Sequence, residues 1–248
     1  MSALLLDLGN TRWKMARSDG TGIGEVVSGP YADTAGLDAA ARRQSTDVSR
    51  VLLASVVAAQ TEGGVVDTLQ RALGLAVETV RSTDPMPNLV SGYRKPEQLG
   101  VDRLLAMVAA RARGARALCV VDAGTAVTVD FVDASGQHLG GFILPGVRMS
   151  RDCLLAHTSI PRDSEIDEGA LLGRDTPTAV ALGARYAVAG LVERFIGGSA
   201  ALFPGQTVQT FVGGGDAERF LGLLPQPCIK LDHLVLRGLA VVAASGDH

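Results

Sequence analysis

Two short stretches of the 248-residue chain repeat one another in residue type and spacing. Leu4-Leu5-Leu6-Asp7-Leu8-Gly9-Asn10-Thr11 is echoed by Cys119-Val120-Val121-Asp122-Ala123-Gly124-Thr125. In each, an apolar run delivers an aspartate to its end, a glycine permits a tight turn, and a threonine supplies a hydroxyl and a backbone N–H. Glycine has no Cβ and reaches positive φ, so its backbone can approach an anion closely. Successive amides in such a turn form an anion-binding concavity. The aspartate repels phosphate but can hold a cation against it, directly or through water. A single D-x-G-T is equally an Asx-type turn joining two strands. Two copies, each after one apolar strand and before another, favour the phosphate reading.

Other residues carry chemistry with a plainer reading beside it. Asp102 suits a carboxylate that accepts a proton from an attacking hydroxyl, and it also stands where a helix begins, as an N-cap would. Arg103 can clasp a carboxylate through paired guanidinium bonds or lie on the surface. Tyr93 can pack its ring on an aliphatic ligand while its hydroxyl donates a hydrogen bond, or simply anchor its loop. Thr176 suits a cap for the long helix that follows, with Thr178 two residues on. Lys14 faces a phosphate or is an exposed strand lysine. His138 reads as a strand residue, and His157, His233 and His248 as surface or cap positions. The four share no ligand spacing. Without a Ser-His-Asp arrangement, hydrolase chemistry has no support.

The elements that must position these residues alternate between strand and helix. Strands are expected at 3–6, 13–17, 25–28, 51–54 and 76–80, with helices from Thr34 to about Gln44 and over about 64–73. Residues 81–99 carry Pro85, Pro87 and Pro96 and read as an irregular segment of the kind that is usually functional or disordered. A helix follows over 103–112. The second half then repeats the opening: strands at 117–121, 126–131 and 139–144, a helix at 147–156, a long helix from Thr176 to about Phe195, a strand at 208–212 and a closing helix at 235–244. The strand at 208–212 meets the glycine turn Gly213-Gly214-Gly215. Two similar αβ halves argue for an α/β protein, divided here into lobes at residues 1–115 and 116–248.

Composition narrows the class. The chain is 47% hydrophobic and 20% charged with net charge -3, values of a globular protein. Its Lys and Arg are scattered, unlike the concentrated footprint of a nucleic-acid binder, so no nucleic-acid partner is expected. No apolar run approaches the ~20 residues of a membrane span, so no membrane partner is expected either. Three separated cysteines and no secretory leader suggest a reducing, cytoplasmic location.

The paired aspartate hairpins resemble those of the superfamily of acetate and sugar kinases, heat-shock chaperones and actin. That resemblance implies duplicated actin-like (ribonuclease H-like) lobes, each a mixed sheet with flanking helices, and ATP as ligand. Phe211-Val212-Gly213-Gly214-Gly215-Asp216 looks like the adenosine-side turn of those proteins. Within the superfamily the chain resembles the type III pantothenate kinases. Asp7-Leu8-Gly9-Asn10-Thr11-Arg12-Trp13-Lys14 is similar to their D-x-G-N-T-x-x-K start, and Gly100-Val101-Asp102-Arg103 to G-x-D-R. Asp122-Ala123-Gly124-Thr125-Ala126 is similar to D-x-G-T-A, and Gly140 to Gly146 to G-G-x-I-x-P-G. Gly173-Arg174-Asp175-Thr176 resembles a late motif in which Asn often precedes the Thr, where this chain has Asp175.

The resemblance implies phosphorylation of the primary hydroxyl of pantothenate by ATP, the entry step to coenzyme A. It implies Asp102 as the catalytic carboxylate and ATP contacts from Asp7, Leu8, Gly9, Asn10, Thr11, Arg12, Trp13, Lys14 and Thr125. It implies pantothenate contacts from Tyr93, Gly100, Val101, Asp102, Arg103 and Thr176, the last from the neighbouring subunit of a homodimer. Asp7 would act through hydrated Mg2+, and Asp122 would hold a monovalent cation, K+ or NH4+. The alternative is a non-catalytic nucleotide-binding regulator, similar to accessory transcription factors, on the same scaffold.

Overall fold

A computed structural model describes residues 2–161, 165–198, 202–224 and 227–246. The chain forms two compact units, one of residues 1–115, 135–139 and 233–248, the other of residues 116–134 and 140–232. The sequence boundary at 115/116 had put residues 135–139 and the closing helix in the second lobe, whereas both group with the first unit.

The sheet of the first unit is built from β1 (Ser2–Leu8), β2 (Trp13–Ser18), β3 (Val27–Gly29), β4 (Val48–Ser55) and β5 (Val77–Thr79), in the order β3-β2-β1-β4-β5. β1 pairs antiparallel with β2 and parallel with β4. Successive side chains of a strand point to opposite faces, and β1 is apolar on both because helices cover both. Leu4, Leu6 and Leu8 pack with Leu37 and Ala41 of α1 (Thr34–Gln44) and with Val65 and Leu69 of α2 (Ala59–Leu73). Ala3 and Leu5 pack with Val101 and Leu105 of α3 (Val101–Arg111) and with Val235, Leu236 and Leu239 of the last helix, α6 (Leu234–Ser245). Burying each such leucine contributes roughly 1.5–3 kcal/mol. The α3–α6 contact needs Gly238, where a Cβ would stand 2.1 Å from the Leu105 carbonyl oxygen. This packing draws the C-terminal helix into the first unit.

The second sheet has the same plan. β6 (Ala117–Ala123) pairs antiparallel with β7 (Ala126–Val132) and parallel with β9 (Val208–Gly213), and β8 (His138–Pro145) and β10 (Cys228–Lys230) complete the order β10-β9-β6-β7-β8. Read from β8, this order matches the first sheet strand for strand, so the sequence echo is a duplication of topology. Val121, Ala123, Phe131, Phe203 and Phe220 form its core with Val147 of α4 (Val147–Ala156) and Ala184 and Val188 of α5 (Thr176–Gly197).

Some local expectations hold and others change. Helix α1 starts at Thr34 as expected and is capped by Asp33, its carboxylate accepting from the Gly36 amide at 2.8 Å. Helix α2 starts at Ala59 and runs through Gly63 and Gly64, since packing of Val65 and Leu69 outweighs the roughly 1 kcal/mol cost of each glycine. Strand β10 was not expected from the sequence. The 81–99 segment is irregular apart from a 3-10 turn at Pro96–Gln98. His248 lies outside the described residues. Among the described residues no helix is long and apolar enough to cross a membrane.

Candidate active site

In the first unit Asp7 is in register with Lys14 across the β1–β2 hairpin, its Oδ2 3.2 Å from the Lys14 ammonium. The two-residue period of β1 puts Asp7 on the Ala3–Leu5 face, where α3 and α6 pack. Burial there pushes its pKa up; the Lys14 charge and hydrogen bond oppose this, the negative charge of Asp102 adds to it, and His233 opposes it. The turn beyond Asp7 is fixed by two hydrogen bonds. The Tyr31 hydroxyl donates to the Gly9 carbonyl at 2.5 Å, and the Val56 amide to the Leu8 carbonyl at 3.1 Å. Asn10, Thr11 and Arg12 are exposed at the tip. Leu8 and Trp13 point into the core, so they offer a ligand backbone groups only.

Gly100, not Asp102, occupies the N-cap position of α3, with no side-chain cap bond. Asp102 lies in the first turn, half-buried, and its Oδ1 accepts from the Arg103 amide at 2.8 Å. A Cβ at Gly100 would sit 2.4 Å from that same oxygen, so the glycine lets the carboxylate fold back over the helix start. The capping reading of Asp102 is therefore set aside. Arg103 is buried rather than a surface residue, at 4% exposure. Its Nη1 donates to the Tyr93 hydroxyl at 2.6 Å, and its guanidinium carbon lies 5.5 Å from the centre of the Tyr93 ring, within cation–π range. Tyr93, Arg103 and the neighbouring Asp102 thus form one polar cluster, while Val101 turns into the core.

In the second unit Asp122 is in register with Thr128 on one side and Gly213 on the other. Its turn is locked to two further glycine motifs. The Gly146 amide donates to the Thr125 carbonyl at 2.9 Å, and a Cβ on Gly146 would stand 2.4 Å from the Gly124 carbonyl oxygen. The Asp216 amide donates to the Ala123 carbonyl at 3.0 Å, and Gly214, at φ 93°, leaves only 2.2 Å between a Cβ and that oxygen. The buried Asp216 carboxylate pairs with Arg148 at 2.9 Å and Arg219 at 3.2 Å. D-x-G-T, P-G and the triple glycine, separate in sequence, are thus one structure.

At the start of α5 the cap is Asp175, which accepts from the Thr178 amide at 2.8 Å and the Thr178 hydroxyl at 3.0 Å. Thr178 is buried and also accepts from the Asp167 amide. Thr176 is neither cap nor core: it is exposed and lines an open groove of about 750 Å³ between α4 and α5, with Ser150, Gly173 and Ala187. Of the two threonines, Thr176 is the exposed one.

Among the described residues no group of three or more His, Cys, Asp or Glu side chains is set to cage a metal ion. A cation at Asp7 or Asp122 would therefore complete its shell with water and ligand oxygens. Sequence reasoning missed Tyr31 and Arg148 because their roles depend on contacts 22 and 68 residues away in the chain. Tyr31, its pKa pushed up to about 12 by burial and then by the Asp7 charge, stays a hydrogen-bond donor at neutral pH.

A sequence model described as Type III pantothenate kinase matches residues 3–197. The Type III pantothenate kinase of Nitrosococcus oceani is 37% identical over 97% of this chain and 93% of its own length. Among solved structures, a Campylobacter jejuni protein described as Baf family gives a TM-score of 0.63 at 18% identity, covering 99% of this chain and all of the other. A ROK hexokinase from Thermus thermophilus gives 0.51 at 17% identity, with full coverage of both chains. At these identities the structural likenesses establish the actin-like kinase fold alone.

Proposed function

The chain belongs to the type III pantothenate kinase family, and from that premise we propose how its residues carry the reaction: transfer of the γ-phosphoryl group of ATP to the primary hydroxyl of pantothenate, giving 4'-phosphopantothenate, the first step of coenzyme A biosynthesis. The protein is a phosphotransferase with an alcohol acceptor. Phosphoryl transfer asks the protein chiefly for positioning and charge neutralisation.

Asp102 takes the proton of the hydroxyl as its oxygen attacks the γ-phosphorus and the bond to the departing ADP oxygen breaks. What supports this role is the place of the Asp102 carboxylate, half-buried in the first turn of α3 next to the Arg103–Tyr93 pair proposed to hold the substrate. Arg103 holds the pantothenate carboxylate and Tyr93 packs on the pantoyl chain, with Gly100 and Val101 shaping the backbone beside them. Each hairpin turn, Gly9–Thr11 and Gly124–Thr125, offers amides and a threonine hydroxyl to ATP phosphates, with Lys14 adding positive charge.

Mg2+, bound by Asp7 through water, would neutralise phosphate charge. The fit lies in the donor set: a buried carboxylate at the end of β1, beside the Gly9–Thr11 turn, with the Lys14 ammonium 3.2 Å from its Oδ2. At Asp122 the duplicated hairpin presents Thr128 in the register position that Lys14 holds opposite Asp7. A monovalent cation, K+ or NH4+, is the proposed ligand of the Asp122 carboxylate, beside the Gly124–Thr125 turn. We further propose a cytoplasmic homodimer in which Thr176 reaches the pantothenate bound by a second copy; its exposure on the α4–α5 groove supports this.

The non-catalytic alternative is not favoured, since the full-length likeness at 37% identity is to kinases and Asp7, Asp102 and Asp122 are all present. Turnover by Asp102→Asn tests the reading: retention of near-normal activity in that variant removes Asp102 from the mechanism.

A further inference from the structure

We propose that His138 is a positioning residue for substrate recognition, setting the direction of the Arg103 guanidinium through Tyr93 and thereby the preference for a substrate that ends in a carboxylate. The inference rests on the reading of Arg103 as the carboxylate ligand.

His138 is 1% exposed, and its ring stacks on Tyr93 with centroids 5.8 Å apart and planes 15° from parallel. Tyr93 in turn takes a hydrogen bond from Arg103 Nη1. Imidazole, phenol and guanidinium therefore touch in sequence, with the phenol in the middle. Tyr93 is carried by the 81–99 segment, in which no helix or strand spans Tyr93 itself.

Residues 136–138 hold this loop in place. The Val90 amide donates to the Gly136 carbonyl at 2.9 Å and the His138 amide to the Val90 carbonyl at 2.9 Å. Gly92 passes so near that a Cβ would stand 2.0 Å from the His138 carbonyl oxygen. Gly136, at φ 95°, leaves 2.3 Å between a Cβ and the Asn88 carbonyl oxygen. Backbone contacts thus seat the loop, and the His138 ring sets the plane of Tyr93. A residue that only packs would weaken every substrate alike. One that aims Arg103 would weaken binding where a carboxylate is present.

The test uses the full chain, with KM and kcat measured for pantothenate and for its analogue bearing a primary amide in place of the carboxylate. His138→Gln should raise the pantothenate KM about fivefold, within the range an aromatic pair contributes, with kcat and the amide KM moving less than about twofold. His138→Phe, which keeps a flat ring on Tyr93, should bring the pantothenate KM back to within about twofold of the parent. Should His138→Gln not fold, Gly92→Ala, which presses on the His138 carbonyl, should give the same selective shift. Equal weakening of both substrates, or no recovery with His138→Phe, overturns the proposal. Arg103→Lys separates the two ideas. If it leaves the preference for carboxylate over amide intact, the Arg103 reading fails. If it erases the preference while His138→Gln does not, the role of His138 alone fails.

Discussion

Asp7 and Asp102, from the first strand and the third helix, are electrostatically coupled: burial raises the Asp7 pKa, and the Asp102 charge raises it further against the pull of Lys14. The coupling follows from strand periodicity. Asp7 lies on the same face of β1 as Ala3 and Leu5, the face on which α3 packs. The carboxylate proposed to hold a cation thus lies within the field of the one proposed to take a proton.

Asp102→Asn should lower kcat about 10²- to 10⁴-fold, the usual contribution of a positioned general base. The fold should survive, since Asp102 is not the cap; loss of its charge from the first turn of α3 should cost less than about 1 kcal/mol. Steady-state kinetics and thermal unfolding of the same preparation check both. The variant should also lower the Asp7 pKa by removing a like charge.

Asp7→Asn should abolish activity while raising stability at neutral pH. A carboxyl with a raised folded-state pKa binds its proton more tightly folded than unfolded, so ionising it at neutral pH costs stability. That cost disappears as pH falls through the raised pKa toward the ordinary value of 3.8. The melting-temperature gain of Asp7→Asn should thus be largest near neutrality and shrink on acidification. A gain independent of pH contradicts the burial argument.

Thr176→Ala should raise the pantothenate KM more than the ATP KM and leave stability within about 0.5 kcal/mol of the parent. Thr178→Ala, which removes a buried hydroxyl bonded to Asp175 and Asp167, should destabilise by about 1 kcal/mol or more. Parallel unfolding curves and Michaelis plots separate the two threonines.

Gly214→Ala should raise the ATP KM and destabilise the chain by about 1–3 kcal/mol, since it forces an L side chain to positive φ against the Ala123 backbone. Asp216→Asn should act in the same direction through loss of its two arginine partners. An unchanged ATP KM in both would detach the triple glycine from nucleotide binding.

The duplicated architecture was legible because β1 and β6 each carry an apolar run up to an aspartate and lead into the same turn chemistry, and such local signals survive without tertiary context. Helix α4 was legible because Pro145-Gly146 marks the turn that leads into it, and it spans Val147–Ala156 as expected. What could not be read depended on long-range packing. The closing helix joins the first unit because Gly238 admits Leu105. Asp102 looks like a cap in one dimension, yet Gly100 takes that position. His138 reads as an ordinary strand residue until the Pro-rich loop is laid against it. Tyr31 gives no local sign of holding the Gly9 carbonyl.

The most direct test of the central claim is ADP release by the full chain with ATP and Mg2+, comparing pantothenate with glucose as acceptor in potassium and in sodium buffer. Pantothenate-dependent ADP release, absent with glucose and faster in potassium, is the expected result. Equal rates in the two buffers would remove the cation from Asp122 alone, whereas no release with pantothenate, or comparable release with glucose, would contradict the account.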